Sequence, residues 1–296
     1  MRAANLGLMR VLWPLLGTAA VLAAQEPAIP NDLEKLARSV DAAHRPDGTT
    51  RQFRGFAAAL EMKQTARDKE RGEATLRVRY LRWLPPGRKR EIPLIRYRVV
   101  DSATPIERGR DLNGYWQIVD GKPKDLETRD TTADLANVRR DLNLARQLLR
   151  FLDPGAVLRG LRDPTPVSDE EVVLGRTAPV PCTVVAGALE SFPRLWEPGA
   201  DTPVRLKVFI AHSTNHLFAV EIWPLDEHGV PDRERGEFVK LDDLRMQSGV
   251  KLPMRLSLYR SGADGRRIKQ MEVSFLSVEL DPPLAPADFD RSTRGG

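Results

Sequence analysis

Residue types that most often carry chemistry are scarce in this chain. Its 296 residues include one cysteine, Cys182, and four histidines. A single thiol excludes an internal disulfide and a dithiol redox pair, so Cys182 reads as a small buried hydrophobe. His212 and His216 have the i, i+4 spacing that pairs imidazoles on a helix. They flank a turn between two strands, however, where that spacing brings nothing together. His44 and His228 fall in Pro/Gly turns. No zinc-ligand spacing, Gly-rich phosphate loop or Gly-x-Ser-x-Gly elbow occurs. Glu170-Glu171 and Asp242-Asp243 are neighbours in strands, so each pair points to opposite faces and reads as surface charge rather than an acid–base couple. The expectation is a protein that is no enzyme and uses no cofactor and no metal.

Long apolar runs are also missing. The stretch from Val11 to Ala24 contains Pro14 and is too short to span a bilayer comfortably. Arg2 and Arg10 precede or open it and Leu22-Ala23-Ala24 closes it, which predicts a cleaved signal peptide over residues 1–24. No cysteine follows, so no lipobox is present, and a soluble periplasmic protein without a transmembrane segment is expected. Charge of one sign is not concentrated either: 46 Lys and Arg are spread among 41 Asp and Glu. That distribution argues against nucleic acid as a partner. Arg77, Arg79, Arg96 and Arg98 read as the wet faces of two strands.

What the chain does have is alternation. Phe56, Ala58, Leu60 and Met62 share one parity, as do Leu76, Val78 and Tyr80, and Ile95, Tyr97 and Val99. Asn113-Gly114 predicts a two-residue type I′ hairpin leading into a strand over Tyr115 to Val119. After Asp130 the period changes: Leu135, Val138, Leu142, Ala145 and Leu149 recur at helical spacing until Asp153-Pro154-Gly155. A shorter helix with Leu33, Leu36, Ala37 and Val40 on one face precedes the strands. Beyond residue 170, alternation returns at 172–174, 182–186, 205–210, 218–222, 238–244, 254–259 and 268–280, with a parity change near Phe275 that predicts a bulge. The expected fold is α+β, mainly β: a single strongly curved antiparallel sheet, an unclosed half-barrel of about ten strands with helices covering the concave face. The expected boundaries are a helix and linker over 25–50, the half-barrel over 51–290 with a helical lid over 131–161, and a disordered tail over 291–296.

Three passages resemble the outer-membrane lipoprotein carrier and sorting proteins, the LolA/LolB-like family. Asp111-Leu112-Asn113-Gly114-Tyr115-Trp116-Gln117-Ile118-Val119-Asp120 resembles that family's hairpin with a Trp after the turn. Arg205 to Trp223 resembles its paired strands, and Gly249 to Pro253, followed by Val278 to Asp281 and Phe289, resembles its closing strands and trailing Phe. The resemblance implies a divergent, longer member with an apolar cavity for acyl chains and no covalent chemistry. Tyr80, Tyr97, Trp116, Val138, Leu142 and Leu149 are the candidate lining residues. A monomeric carrier-like protein that binds a lipid or an acylated lipoprotein is the first functional reading, with an envelope protein as a possible further partner. The second is a structural or interaction module of the cell envelope with a filled core. An exported hydrolase, its residues gathered from distant strands, is the least favoured.

Overall fold

The computed structural model describes residues 31–48, 53–65, 74–83, 94–100, 106–119, 121–126, 133–151, 153–174, 177–195, 202–261 and 266–290. The expected signal peptide and C-terminal tail lie outside the described residues. Helix α1 (Asn31–His44) is followed by six strands: β1 (Gly55–Gln64), β2 (Ala74–Trp83), β3 (Leu94–Val99), β4 (Ile106–Arg110), β5 (Tyr115–Val119) and β6 (Lys122–Leu126). Helices α2 (Ala133–Phe151) and α3 (Pro154–Arg159) come next. Seven more strands follow: β7 (Ser168–Val172), β8 (Val180–Phe192), β9 (Thr202–Ala211), β10 (Leu217–Pro224), β11 (Glu237–Gln247), β12 (Val250–Ser261) and β13 (Arg267–Leu280). A 3₁₀ turn, Pro286–Phe289, ends the described chain.

All thirteen strands form one antiparallel sheet in the order β6-β5-β4-β3-β2-β1-β13-β12-β11-β10-β9-β8-β7. Two meanders are therefore joined where the first strand pairs with the last. The sequence reading of about ten strands has no counterpart for β4 and β6, the partners on either side of β5. Gly109 in β4 and Pro123 with three charged neighbours in β6 weaken the alternation there. The expected bulge lies opposite Ala59 and Leu60, which pair with Ser277 and Phe275 and leave Leu276 as the extra residue.

The predicted hairpin is present with a shifted turn. Arg110 pairs with Tyr115, and the Asp111 amide donates to the Gly114 carbonyl, so Leu112-Asn113 rather than Asn113-Gly114 sits at the tip. The cause is the Asp111 carboxylate, which accepts from the amides of Asn113 and Gly114 at 2.7 and 3.0 Å. A turn with both central residues at positive φ occurs instead at Ser248-Gly249, between β11 and β12.

The sheet bends until one helix touches both of its arms. Arg139 of α2 reaches the Tyr115 ring on β5, while Asn143, one helical turn on, donates to the Arg194 carbonyl at 2.7 Å. Leu195 is in turn hydrogen-bonded to Glu237 at the start of β11. Strands β5 and β11 are seven steps apart in the sheet order, which is about 34 Å in a flat sheet. One helical turn advances about 5 Å, so only a deeply curved sheet brings both contacts to it.

The main core lies on the inner face. It runs from Tyr97 and Val99 of β3 through Leu60, Val273, Leu256 and Val239 to Val208 and Val185 at the other arm. Leu33, Ala37 and Val40 of α1 belong to the same core. Arg159 of α3 ties it in by ion pairs to Glu34 at 3.0 Å and Asp41 at 2.9 Å. Gly155 permits that approach, because a Cβ there would strike the Asp41 carboxylate.

The outer face is not uniformly wet as the alternation predicts. Cys182, Val184, Phe209, Ala219 and Phe238 form a second apolar cluster with Val172 and Leu174. Burial pushes the Cys182 thiol up to about 11, so it is an inert hydrophobe. At the other arm the 3₁₀ turn covers the outer side of β3 with Phe289. Arg96, expected to be solvated, is buried there: it pairs with Glu107, donates to the Asp288 carbonyl at 2.9 Å and lies 5.8 Å from the Trp116 ring centre. Arg98 is exposed, as expected, and the side chains of Arg77 and Arg79 lie outside the described residues.

Candidate functional site: the inner face beneath helix α2

Helix α2 carries more apolar surface than a one-sided helix needs. The predicted stripe of Leu135, Val138 and Leu142 is buried, and so are Leu144 and Phe151 on other sides of the helix. Phe151 packs against Phe192 at the end of β8, with ring centres 6.3 Å apart. The helix therefore lies between the arms of the sheet. Its polar fastening is equally specific: Asn143 and Gln147 donate to the carbonyls of Arg194 and Pro193 at 2.7 and 2.8 Å. Both amides are buried, so each bond satisfies a donor that could not reach water. Beneath the fastening, Arg194 donates to the Arg235 carbonyl at 2.7 Å and faces the buried Glu237 carboxylate.

The sequence-predicted site residues divide into three groups. Tyr97, Val138 and Leu142 come together in the inner core, at 3, 0 and 2% exposure. Tyr80 is the cross-strand partner of Tyr97 in the register, and its side chain, like that of Leu149, lies outside the described residues. Trp116 does not join them. Tyr97 pairs with Arg108, and Arg96 pairs with Gly109, which pairs with Trp116. Trp116 consequently faces the outer side, 1% exposed, with its ring lying over Gly109 where any Cβ would collide with it. Strand parity alone places it there. Tyr115, its neighbour, faces inward and packs against the core.

One inward constellation was not anticipated. His44 and His216 meet with ring centres 4.9 Å apart, edge to face, where α1 ends against the β9–β10 turn. The Leu217 amide donates to His44 Nε2 at 3.1 Å, which leaves Nδ1 to donate to the Lys251 carbonyl at 3.3 Å. Burial, with the neighbouring His216, lowers the His44 pKa to about 4 and keeps the ring neutral. Burial lowers His216 as well; its ring nitrogens lie near the Ala43 and Thr214 carbonyls without meeting hydrogen-bond geometry. The signal was in the sequence, since Leu33, Ala37, Val40 and His44 share a helical stripe. His212 points the other way, toward Asp169 at 3.0 Å. Among the described residues no three His, Cys, Asp or Glu side chains gather as a metal site.

The adjacent carboxylates also part company. Asp242 pairs with Lys240 at 3.0 Å, Asp243 with Arg245 at 2.7 Å, and Glu170 with Lys207 at 2.7 Å. What the inner face offers is apolar surface under a fastened helix.

A deeply curved antiparallel sheet with helices on its inner face defines a fold class, and a solved structure shares it. A DUF1329 family protein from Desulfovibrio piger is similar at 11% identity over 88% of this chain and 97% of its own, with a TM-score of 0.52. That likeness shows the fold. A LolA superfamily protein from Nitrosomonas europaea, NE2245, aligns over 89% of this chain and 99% of its own at 12% identity, with a TM-score of 0.44. The Pseudomonas aeruginosa MucA/MucB complex aligns over 85% of this chain and 99% of the other at 12% identity and a TM-score of 0.20, a likeness too loose to define a fold. No protein-family model matches the chain, and no curated protein matches it. No helix among the described residues is long and apolar enough to cross a membrane.

Proposed function

We propose that this is an exported, periplasmic, non-catalytic binding protein with an unclosed half-barrel that takes the apolar chain of a lipid or acylated lipoprotein between its inner face and helix α2. The observation that carries the reading is the apolar inner face itself: it spans both arms of the sheet and is covered by helices rather than by a second sheet. The resemblance of the Asp111–Asp120 hairpin and the closing strands to lipoprotein carriers supports it. Each methylene moved from water into such a site contributes about 0.8 kcal/mol, so a chain of ten carbons has ample driving force to displace part of a packed helix.

Displacement is required, because Val138, Leu142 and Tyr97 are already buried in the core. In this reading α2 is a cover that opens, and its bonds to Pro193 and Arg194 are the catch. The same close packing favours one alternative, an envelope interaction module whose core is permanently filled. Native mass spectrometry of the protein purified from its own envelope, followed by extraction and identification of released lipids, separates the two. The carrier reading predicts a bound lipid or acylated peptide that organic solvent removes. A bare polypeptide mass, together with no uptake of a fluorescent fatty acid, establishes the filled-core module instead.

A further inference from the structure

Arg110 and Arg139 converge on one tyrosine from different elements. The guanidinium carbon of Arg110, on β4, lies 5.0 Å from the centre of the Tyr115 ring, and that of Arg139, on α2, lies 5.7 Å from it. Most other fixed arginines here have a carboxylate beside them: Arg159 has Glu34 and Asp41, Arg96 has Glu107, Arg245 has Asp243 and Arg267 has Glu221. Among the described residues no carboxylate pairs with Arg110 or Arg139. Asp111, next in sequence, spends its carboxylate on the amides of the hairpin turn. Two positive charges thus lie within 5.7 Å of the centre of one neutral ring. A cation–π contact contributes only about 0.5–1 kcal/mol at a partly exposed site, a weak offset to their repulsion.

Their place in the sheet gives the charge a purpose. Ile95, Arg110, Tyr115 and Leu126 form one cross-strand row on the inner face, and Ile95 and Leu126 are fully inside the core. Arg139 follows Val138 in α2, whose side chain is also in the core. The row runs to β6, the open edge of the sheet. Arg110, Tyr115 and Arg139 are all half-buried, so the guanidinium pair sits between the apolar floor and solvent at this arm of the sheet. The next row adds Arg108 and Lys124 to the same face. An alkyl chain inside would put its head group here, and the planar fork of arginine binds a carboxylate or phosphate in two parallel charge-assisted bonds.

We propose that the ligand is an anionic amphiphile, whose carboxylate or phosphate head is held by Arg110 and Arg139 at the rim formed by Tyr115. This assignment rests on the chain-binding reading above and adds the head-group chemistry. It is tested by titrating the full-length mature protein with dodecanoate, dodecyl phosphate and dodecanol at low salt, and repeating with R110Q, R139Q and the double variant. Wild type is expected to bind the two anions at least tenfold more tightly than the alcohol. The double variant loses that preference while its affinity for dodecanol and its melting temperature stay unchanged, and R139K, which keeps the charge without the fork, retains part of the preference. Equal affinity of wild type for all three chains overturns the head-group assignment and leaves chain binding intact, as does a preference that survives in the double variant. Failure of every chain to bind overturns chain binding and the assignment with it. Transfer of dodecanoate but not of lipid from phosphatidylglycerol vesicles identifies a free fatty acid as the source. Faster extraction from phosphatidylglycerol than from phosphatidylcholine vesicles identifies a membrane phospholipid. Either result supports the anionic head.

Discussion

His44 shows how one buried side chain can set the acid limit of the fold. Its neutral ring accepts from the Leu217 amide and donates to the Lys251 carbonyl, and the nearby positive charges of Lys251 and Arg45 oppose a second proton. The folded pKa, about 4, lies below the ordinary value of 6.5. Protons therefore bind the unfolded chain first, and stability is full above pH 6.5 and falls as the pH drops toward 4, by up to about 3 kcal/mol. Denaturant melts between pH 7 and 4 should show this slope, and H44Q, which keeps a donor and an acceptor, should flatten it. An unchanged slope in a folded H44Q would remove His44 as the cause. Gly109 gives a second residue-scale prediction. Its missing Cβ makes room for the Trp116 ring, so G109V should lower stability by about 1–3 kcal/mol or more, measured by thermal denaturation, through overpacking at the outer face. A neutral effect would mean that Trp116 is not seated there.

In the proposed function helix α2 is the cover, and two buried amide side chains fasten it. Replacing Asn143 with alanine leaves the buried Arg194 carbonyl without its donor, which costs about 1–3 kcal/mol. If α2 is a cover, N143A should speed uptake of a fluorescent fatty acid in stopped-flow mixing and raise deuterium exchange along 133–151. If α2 is a fixed core helix, stability falls and uptake does not accelerate. The helix itself was legible, because Leu135, Val138, Leu142, Ala145 and Leu149 keep a helical period within its nineteen residues. Its second buried side was not: Asn143 and Gln147 are polar, and nothing in local sequence announces that a carbonyl fifty residues away will meet them. The strands divide in the same way. Alternation revealed β1, β3 and β9 to β13, whereas β4 and β6 are held by pairing with β5 and carry Gly109 and Pro123. The resemblance implies Trp116 as a cavity-lining residue, but the register puts it on the face opposite Tyr97.

At the scale of the whole molecule, curvature does what closure does in a barrel. The first and last strands, β1 and β13, pair in the middle of the sheet, and the chain crosses between the edge strands β6 and β7 through α2 and α3. That crossing obliges the helices to pass through the trough, where they cover the inner face. A cover in series with both arms can respond to a chain lodged between them, and the edges at β6 and β7 carry charged residues that discourage pairing with other sheets. In the proposed function an apolar chain lies between the inner face and α2. Photocrosslinking with a fatty acid that carries a diazirine along its chain, followed by peptide mapping, tests it most directly. The account predicts adducts in 133–151 and on β3 around Tyr97, suppressed by excess unlabelled fatty acid. Adducts confined to the outer face, or none that unlabelled chain displaces, would contradict it.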